Sequence, residues 1–297
     1  MKDKGKEIPS HMRRLGLVLA TALLATSAFA HDTTTTYSGD AEQCSGRNIR
    51  FNDRPAFVQQ ETIDARGLRS LKASVTNAPI SVVGGAPAYE ITVCKAAERE
   101  QDLAAIRVRL DGNELEATGP DDHRWQASYF IRVPSGADLD LSAKNGPLSI
   151  RDVVGTVVAR SHNGPLSLKN VDGNVDAETR NGPISVNGGS GEMKVSATNG
   201  PLSVKLSGAS WNGTLDASTK NGPLSVSVPR DFASGVVVEA HGRGPIACDA
   251  DACNGNRRSR TVDNDWDDEP RRIELGSGPV NVRLSTVNGP VTIKDFE

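Results

Sequence analysis

The densest cluster of chemically capable side chains in this 297-residue chain lies between Cys248 and Arg272. Asp263, Asp265, Asp267 and Glu274 stand at positions one, three, five and twelve of the spacing with which oxygen ligands surround calcium. Position six is Asp268, where such a loop needs glycine for its sharp turn, and Pro270 follows. These carboxylates are therefore expected to be solvated and neutralised by Arg257, Arg258, Arg260, Arg271 and Arg272, with no metal and no cofactor. An insertion that interrupts a repeat is placed on one face and often carries an interaction. That makes Asp263, Asp265, Trp266 and Asp267 the candidate binding residues, with Trp266 the aromatic that would meet a partner, although a lone tryptophan more often packs onto the solenoid wall.

Hydrolysis of an acidic polysaccharide would need a cleft in which two carboxyl groups sit in environments different enough to act as acid and base. Strand alternation instead turns outward one row of Asp140, Val158, Asp176, Lys194 and Asp216 and a second of Ser142, Arg160, Glu178, Ser196 and Ser218. These mixed-charge rows hold no such pair. His123, His162 and His241 are remote from any serine or cysteine that could form a nucleophile arrangement, and His162 shares a row with Lys144, Arg180 and Lys220. A non-enzymatic protein is expected.

The four cysteines, Cys44, Cys94, Cys248 and Cys253, lack the C-x-x-C spacing of a zinc site. In an oxidising compartment an even count reads as two disulfides, for which three connectivities exist. Proximity in sequence favours Cys44–Cys94 and Cys248–Cys253.

The elements that must present these groups are repeats. Asn-Gly-Pro recurs at Asn145, Asn163, Asn181 and Asn199, then at Asn221 and Asn288. Gly242-Arg243-Gly244-Pro245 and Ser277-Gly278-Pro279 stand where degenerate copies would fall, and Asn77-Ala78-Pro79 suggests an early diverged one. A second glycine, as at Gly155, Gly173 and Gly191, halves each unit. The first half alternates with period two, placing Leu139, Leu141, Ala143 and Asn145 on one parity. The second opens with proline and alternates inward aliphatics with outward Ser149, Ser167, Ser185, Ser203 and Ser225. A unit with one apolar face and two short strands cannot bury itself, whereas stacked units form continuous apolar columns. The expectation is an all-β, right-handed, single-stranded parallel β-helix with coils of about 18 to 22 residues. Its asparagine row (Asn145, Asn163, Asn181, Asn199, Asn221, Asn288) should be structural, with amides bonded to neighbouring asparagines or corner backbone.

Around this repeat, residues 1–30 read as a leader, with Met12–Ala30 a signal peptide: Arg13 and Arg14, an apolar stretch, then Ala28-Phe29-Ala30. Residues 31–60 form an N-terminal segment, residues 61–136 an irregular β cap with a hairpin turn at Asp111-Gly112-Asn113, and residues 137–297 the solenoid with an inserted loop at 248–272. Without the leader the chain carries 29 Lys and Arg against 35 Asp and Glu, a net charge of −6. That balance argues against a nucleic-acid partner. No membrane span is expected after cleavage of the signal.

Ile131-Arg132-Val133-Pro134-Ser135-Gly136-Ala137-Asp138-Leu139-Asp140-Leu141, followed by the Asn-Gly-Pro-Leu-Ser units, resembles the DUF4097 family of adhesin-type β-strand-repeat proteins. The likeness extends over most of residues 60 to 297. It implies a β-helical exported protein and supplies no catalytic residues to carry over.

Together these features lead to the expectation of an exported cell-envelope protein, periplasmic or at the surface. It would bind a glycan or protein through its inserted loop and outward polar rows. The alternatives are a structural component that self-associates through its coil ends and, more distantly, a carbohydrate-active enzyme.

Overall fold

The computed structural model describes residues 44, 49–122, 124–242, 244–250 and 271–296. The signal peptide, Cys253 and the loop residues Asp263, Asp265, Trp266 and Asp267 lie outside the described residues. The described chain is almost wholly strand. A small hairpin of β1 (Arg50–Phe51) and β2 (Arg54–Pro55) is followed by β3 (Phe57–Ile63), β4 (Ser70–Val75), β5 (Ile80–Val83) and β6 (Glu90–Ala97). After a 3-10 turn at Glu100–Ala105 come β7 (Arg107–Asp111), β8 (Glu114–Thr118) and β9 (Trp125–Arg132).

Long and short strands then alternate. They are β10 (Ala137–Asn145) and β11 (Leu148–Arg151), β12 (Val154–Asn163) and β13 (Leu166–Lys169), and β14 (Asp172–Asn181) and β15 (Ile184–Asn187). These are followed by β16 (Ser190–Asn199) and β17 (Leu202–Lys205), and by β18 (Gly213–Asn221) and β19 (Leu224–Pro229). The chain ends with β20 (Gly235–Ala240), β21 (Ile246–Cys248), β22 (Arg271–Leu275), β23 (Val280–Asn288) and β24 (Val291–Phe296).

All but the first hairpin fall into two 11-stranded sheets. One runs β22-β20-β23-β18-β16-β14-β12-β10-β4-β8-β7 and holds the long strands; the other runs β21-β24-β19-β17-β15-β13-β11-β5-β9-β6-β3. The repeat strands pair in parallel and in register, so that Leu139, Val157, Val175, Met193, Leu215 and Val282 form one buried column. Ile80, Leu148, Leu166, Ile184, Leu202, Leu224 and Val291 form another on the short-strand sheet. Each such side chain contributes roughly 1.5–3 kcal/mol of burial, which a two-strand unit obtains only from its neighbours.

The corner between the sheets sets the register. A Cβ placed on Gly146, Gly164, Gly182, Gly200, Gly222 or Gly289 would lie 1.9–2.2 Å from a carbonyl oxygen of the preceding rung. Only glycine permits that approach. Corner amides such as Gly164 N–H donate to Asn181 O, and Leu166 N–H donates to Pro183 O. The glycine carbonyl between them faces the next rung's proline nitrogen, which has no hydrogen to give. Buried hydroxyls fill that gap: Thr179 donates to Gly164 O, Thr219 to Gly200 O and Thr286 to Gly222 O. The second glycine column makes a similar approach, Gly191 lying over Gly173.

Two boundaries differ from those expected. Residues 70–83 belong to the stack and not to a separate cap, because β4 and β5 pair in parallel with β10 and β11, and β8 and β9 form a further rung beneath them. The cap proper consists of antiparallel β7, β6 and β3. Ala78 stands where later units have glycine, since the rung beneath it has no such corner. At the far end Ser277-Gly278-Pro279 is not a sheet-to-sheet corner; it carries the chain past the start of β20 into β23. Arg271 and Arg272 likewise belong to β22 and not to the inserted loop. The final strands β23 and β24 lie between the β18/β19 rung and the β20/β21 rung, so spatial order departs from chain order.

Cys44 and Cys94 are bonded, tying the segment before β1 to β6 across 50 residues. Closure of a loop that long contributes about 4 kcal/mol by chain entropy.

The stacking contact makes a contrast between two glycines measurable. Gly191 has φ +95° and would place a Cβ 2.3 Å from Gly173 O, whereas Gly67 has φ +82° with open space around it. Gly191→Ala is expected to cost more than about 3 kcal/mol in urea unfolding, and Gly67→Ala only about 1 kcal/mol.

Candidate binding surface

The asparagine row is built at the corner, where each long strand ends. Asn145 Nδ2 donates to Asn77 Oδ1 at 2.8 Å, and Asn163, Asn181 and Asn199 each donate to the asparagine one rung before at 2.8–2.9 Å. Asn221 and Asn288 continue the ladder at 2.8 and 2.9 Å. Strand parity counts these residues inward, yet Asn163, Asn181, Asn199, Asn221 and Asn288 are exposed, because the chain turns there and the side chains emerge along the edge.

Basic side chains flank this edge on the long-strand sheet, and a second basic row closes the short strands at their far ends. Lys144, His162, Arg180 and Lys220 occupy the last outward position of the long strands and are all exposed. On the short-strand sheet Arg151, Lys169, Lys205 and Lys294 follow a column of hydroxyls formed by Ser81, Ser149, Ser167, Ser185, Ser203, Ser225 and Thr292. Lys205 lies 4.2 Å from the Phe296 ring centroid, a cation–π contact. Across residues 142–151, 160–169, 178–187, 196–205, 218–227 and 285–294, Glu178 is the one carboxylate.

Carboxylates collect in the opposite half of most rungs, although the β23 rung carries Arg283 there. Asp138, Asp140, Asp152, Asp172, Asp176, Glu192 and Asp216 stand there, with Lys194 among them. Down one outward column the signs largely alternate: Glu114, Lys72, Asp140, Val158, Asp176, Lys194, Asp216, Arg283. Lys72 Nζ reaches Glu114 at 2.6 Å, and that hydrogen-bonded carboxylate raises the ammonium pKa above its ordinary value. Arg160 spans rungs, with Asp176 at 2.7 Å and Glu178 at 3.8 Å. A shallow groove of about 350 Å³ crosses this half between Thr156, Asn174 and Glu192 on one side and Val158, Asp176 and Lys194 on the other.

The four loop residues expected to bind lie outside the described residues, as does Cys253. Cys248 is disulfide-bonded, in register with Ile293 at the root of the insertion. Among the described residues, no group of three or more His, Cys, Asp or Glu is arranged to hold a metal. What the surface can do is present repeated cations, amides and hydroxyls about 4.8 Å apart. Each contact with an anionic group would be a charge-assisted hydrogen bond, and several on one rigid frame add as avidity. Residue-by-residue reading missed this division into basic and acidic halves, which emerges when the repeats are aligned column by column.

No family model matches the chain, and no curated protein matches it. Among solved structures it is similar to a "putative cell adhesion protein" of Clostridium sporogenes, at 12% identity and a TM-score of 0.32, over 81% of this chain and 100% of that one. It is also similar to a "putative adhesin" of Bacteroides fragilis, at 11% identity and a TM-score of 0.26, over 81% of this chain and 97% of that one. Likenesses this distant carry no inference about function.

The ladder can be probed by one atom. In Asn181→Asp, one carboxylate oxygen still accepts from Asn199 while the other faces Asn163 Oδ1 with no proton between them. The folded-state pKa of that carboxyl should rise, so its stabilising bond is fully present below the unfolded value and lost as pH climbs through the folded one. Unfolding at neutral pH should show a loss of about 1–2 kcal/mol that shrinks as pH falls toward 4.

Proposed function

We propose that this chain is an exported, non-catalytic binding rod of the cell envelope, adhesin-like in role, whose Asn-Gly-Pro edge engages an extended anionic partner such as an acidic glycan. The observation that carries this reading is the transverse separation of charge. Eight Lys and Arg and one carboxylate line the edge segments of six successive repeat rungs, on a chain that is acidic without its leader. A surface made of the same groups many times over favours many weak contacts with a repeating polymer, whereas catalysis concentrates unlike groups at one locus.

The Cys44–Cys94 bond supports export, since such bonds persist in oxidising compartments. We read the stack as a right-handed single-stranded coil, in keeping with the preference of parallel crossovers and with asparagine spacings of 18 and 22 residues. Antiparallel strands at both ends of the long-strand sheet (β7 and β22) and at one end of the other (β3 and β6) disfavour end-to-end assembly, because a parallel rung cannot be continued from a reversed edge, and the one parallel edge, β21, is three residues long.

Removing charge from one row tests the proposal. The chain without its leader should be retained on immobilised polygalacturonate at low salt and released as ionic strength rises, since screening shortens the reach of exposed charges. Lys144→Gln/Arg180→Gln/Lys220→Gln should elute earlier with an unchanged melting temperature, while Asp138→Asn/Asp172→Asn should not. Equal elution of the triple variant and the parent would sink the edge as the contact surface.

A further inference from the structure

A hollow of about 270 Å³ opens at the foot of the asparagine ladder, between the first corner, β8 and β9. It lies where the connection from β8 to β9, which opens with Gly119-Pro120, takes six residues in place of the two between a long and a short repeat strand. Inside it, the repeat's own polar economy fails. The buried hydroxyls of Thr179, Thr219 and Thr286 all reach a corner carbonyl. Tyr129, 0% exposed and in column with Ile80, has a hydroxyl with no hydrogen-bond partner. Such orphaned groups are rare in folded proteins and call for an explanation.

Other unused capacity converges on the same hollow. Asn77 is the first step of the ladder: its carbonyl oxygen accepts from Asn145, and among the described residues its own amide hydrogens have no partner. Trp125 forms a wall, fixed by its Nε1 donating to Pro120 O at 2.8 Å and backed closely by Gly119, where a Cβ would lie 2.4 Å from the ring. Glu116 adds a carboxylate to the lining.

We infer that this hollow binds a single uncharged sugar ring. A polyol needs donors and acceptors converging beside an aromatic surface, and Tyr129, Asn77 and Trp125 supply them. An apolar occupant would leave the tyrosine and asparagine groups unsatisfied, and an anion would meet Glu116. The volume falls just below the range that takes drug-sized ligands, which suits one ring. Burial raises the Tyr129 pKa, so its hydroxyl stays a neutral donor and acceptor near neutral pH. The hollow is distinct from the cation rows, and either can fail without the other.

The test uses the chain without its leader and the methyl glycosides of glucose, galactose, mannose and N-acetylglucosamine, read by saturation-transfer NMR and calorimetry. At least one should bind with a stoichiometry of one. Tyr129→Phe should weaken it about tenfold or more, because a site built to bond a hydroxyl discriminates through it. The same variant should melt no lower than the parent, since the hydroxyl has no partner in the protein, and its retention on polygalacturonate should not change. An array of oligosaccharides ending in the bound ring separates the sources: retention assigns a glycan terminus, and binding of the free glycoside alone assigns a free sugar. No binding by any of the four, or affinity indifferent to Tyr129→Phe, overturns the inference.

Discussion

Everything in this molecule rests on the close passage of a glycine α-carbon under the carbonyl oxygen of the rung before it. At Gly164 or Gly182 no other residue fits, and because the contact recurs at every corner it allows one register and no other. A slip of one residue would turn the aliphatic columns outward and the serines inward. Proline on the next position fixes φ at the start of the short strand and removes the N–H that would have donated to the glycine carbonyl of the rung before. That removal strands a carbonyl inside the stack, and the threonines at 179, 219 and 286 meet the demand it creates. Glycine, proline and threonine at these places therefore form one hydrogen-bonding solution.

In-register stacking also governs the surface, since whatever one repeat displays the next displays again directly above it. Like charges opposite one another in adjacent strands repel, so a column can be charged only if signs alternate or if gaps intervene. The column from Glu114 to Arg283 takes the first course. The basic rows take the second over most of their length: Thr198 separates Arg180 from Lys220, and Asn187 and Ser227 separate the lysines of the short-strand sheet, with Arg151 and Lys169, in direct register, the exception. The protein tolerates a run of cations beside its asparagines because those cations sit at strand ends, where long side chains can splay into solvent.

Much of the architecture was legible in the residues because the repeat is nearly exact between Ala137 and Asn221, and period-two alternation states which face is buried. The Cys44–Cys94 pairing was legible from proximity. What escaped notice lay where copies degenerate. Asn77-Ala78-Pro79 was legible as a diverged copy, but alanine in place of the corner glycine left its strands grouped with the cap and not with the regular stack. The order of the last rungs was hidden for a different reason: which strand lies beside which is decided by contacts between distant segments, and β23 looks like a continuation of β22 until its partners β18 and β20 are known. The hollow at Tyr129 left no local signature either, because an orphaned hydroxyl is defined by surroundings that no short motif records.

The threading of β23 and β24 bears on how the molecule comes into being. A ribosome releases the chain from its amino end, and up to β19 each new pair of strands can settle on its predecessor as it emerges. The strands β20 and β21 cannot do so in their final places, for the surface they rest on is made of residues 280–296, which follow them in the chain. Growth by accretion must therefore stop one layer short, leave a segment waiting in solution, and finish only when the tail slides in beneath it. The strands β23 and β24 thus act as a keystone for this end of the stack.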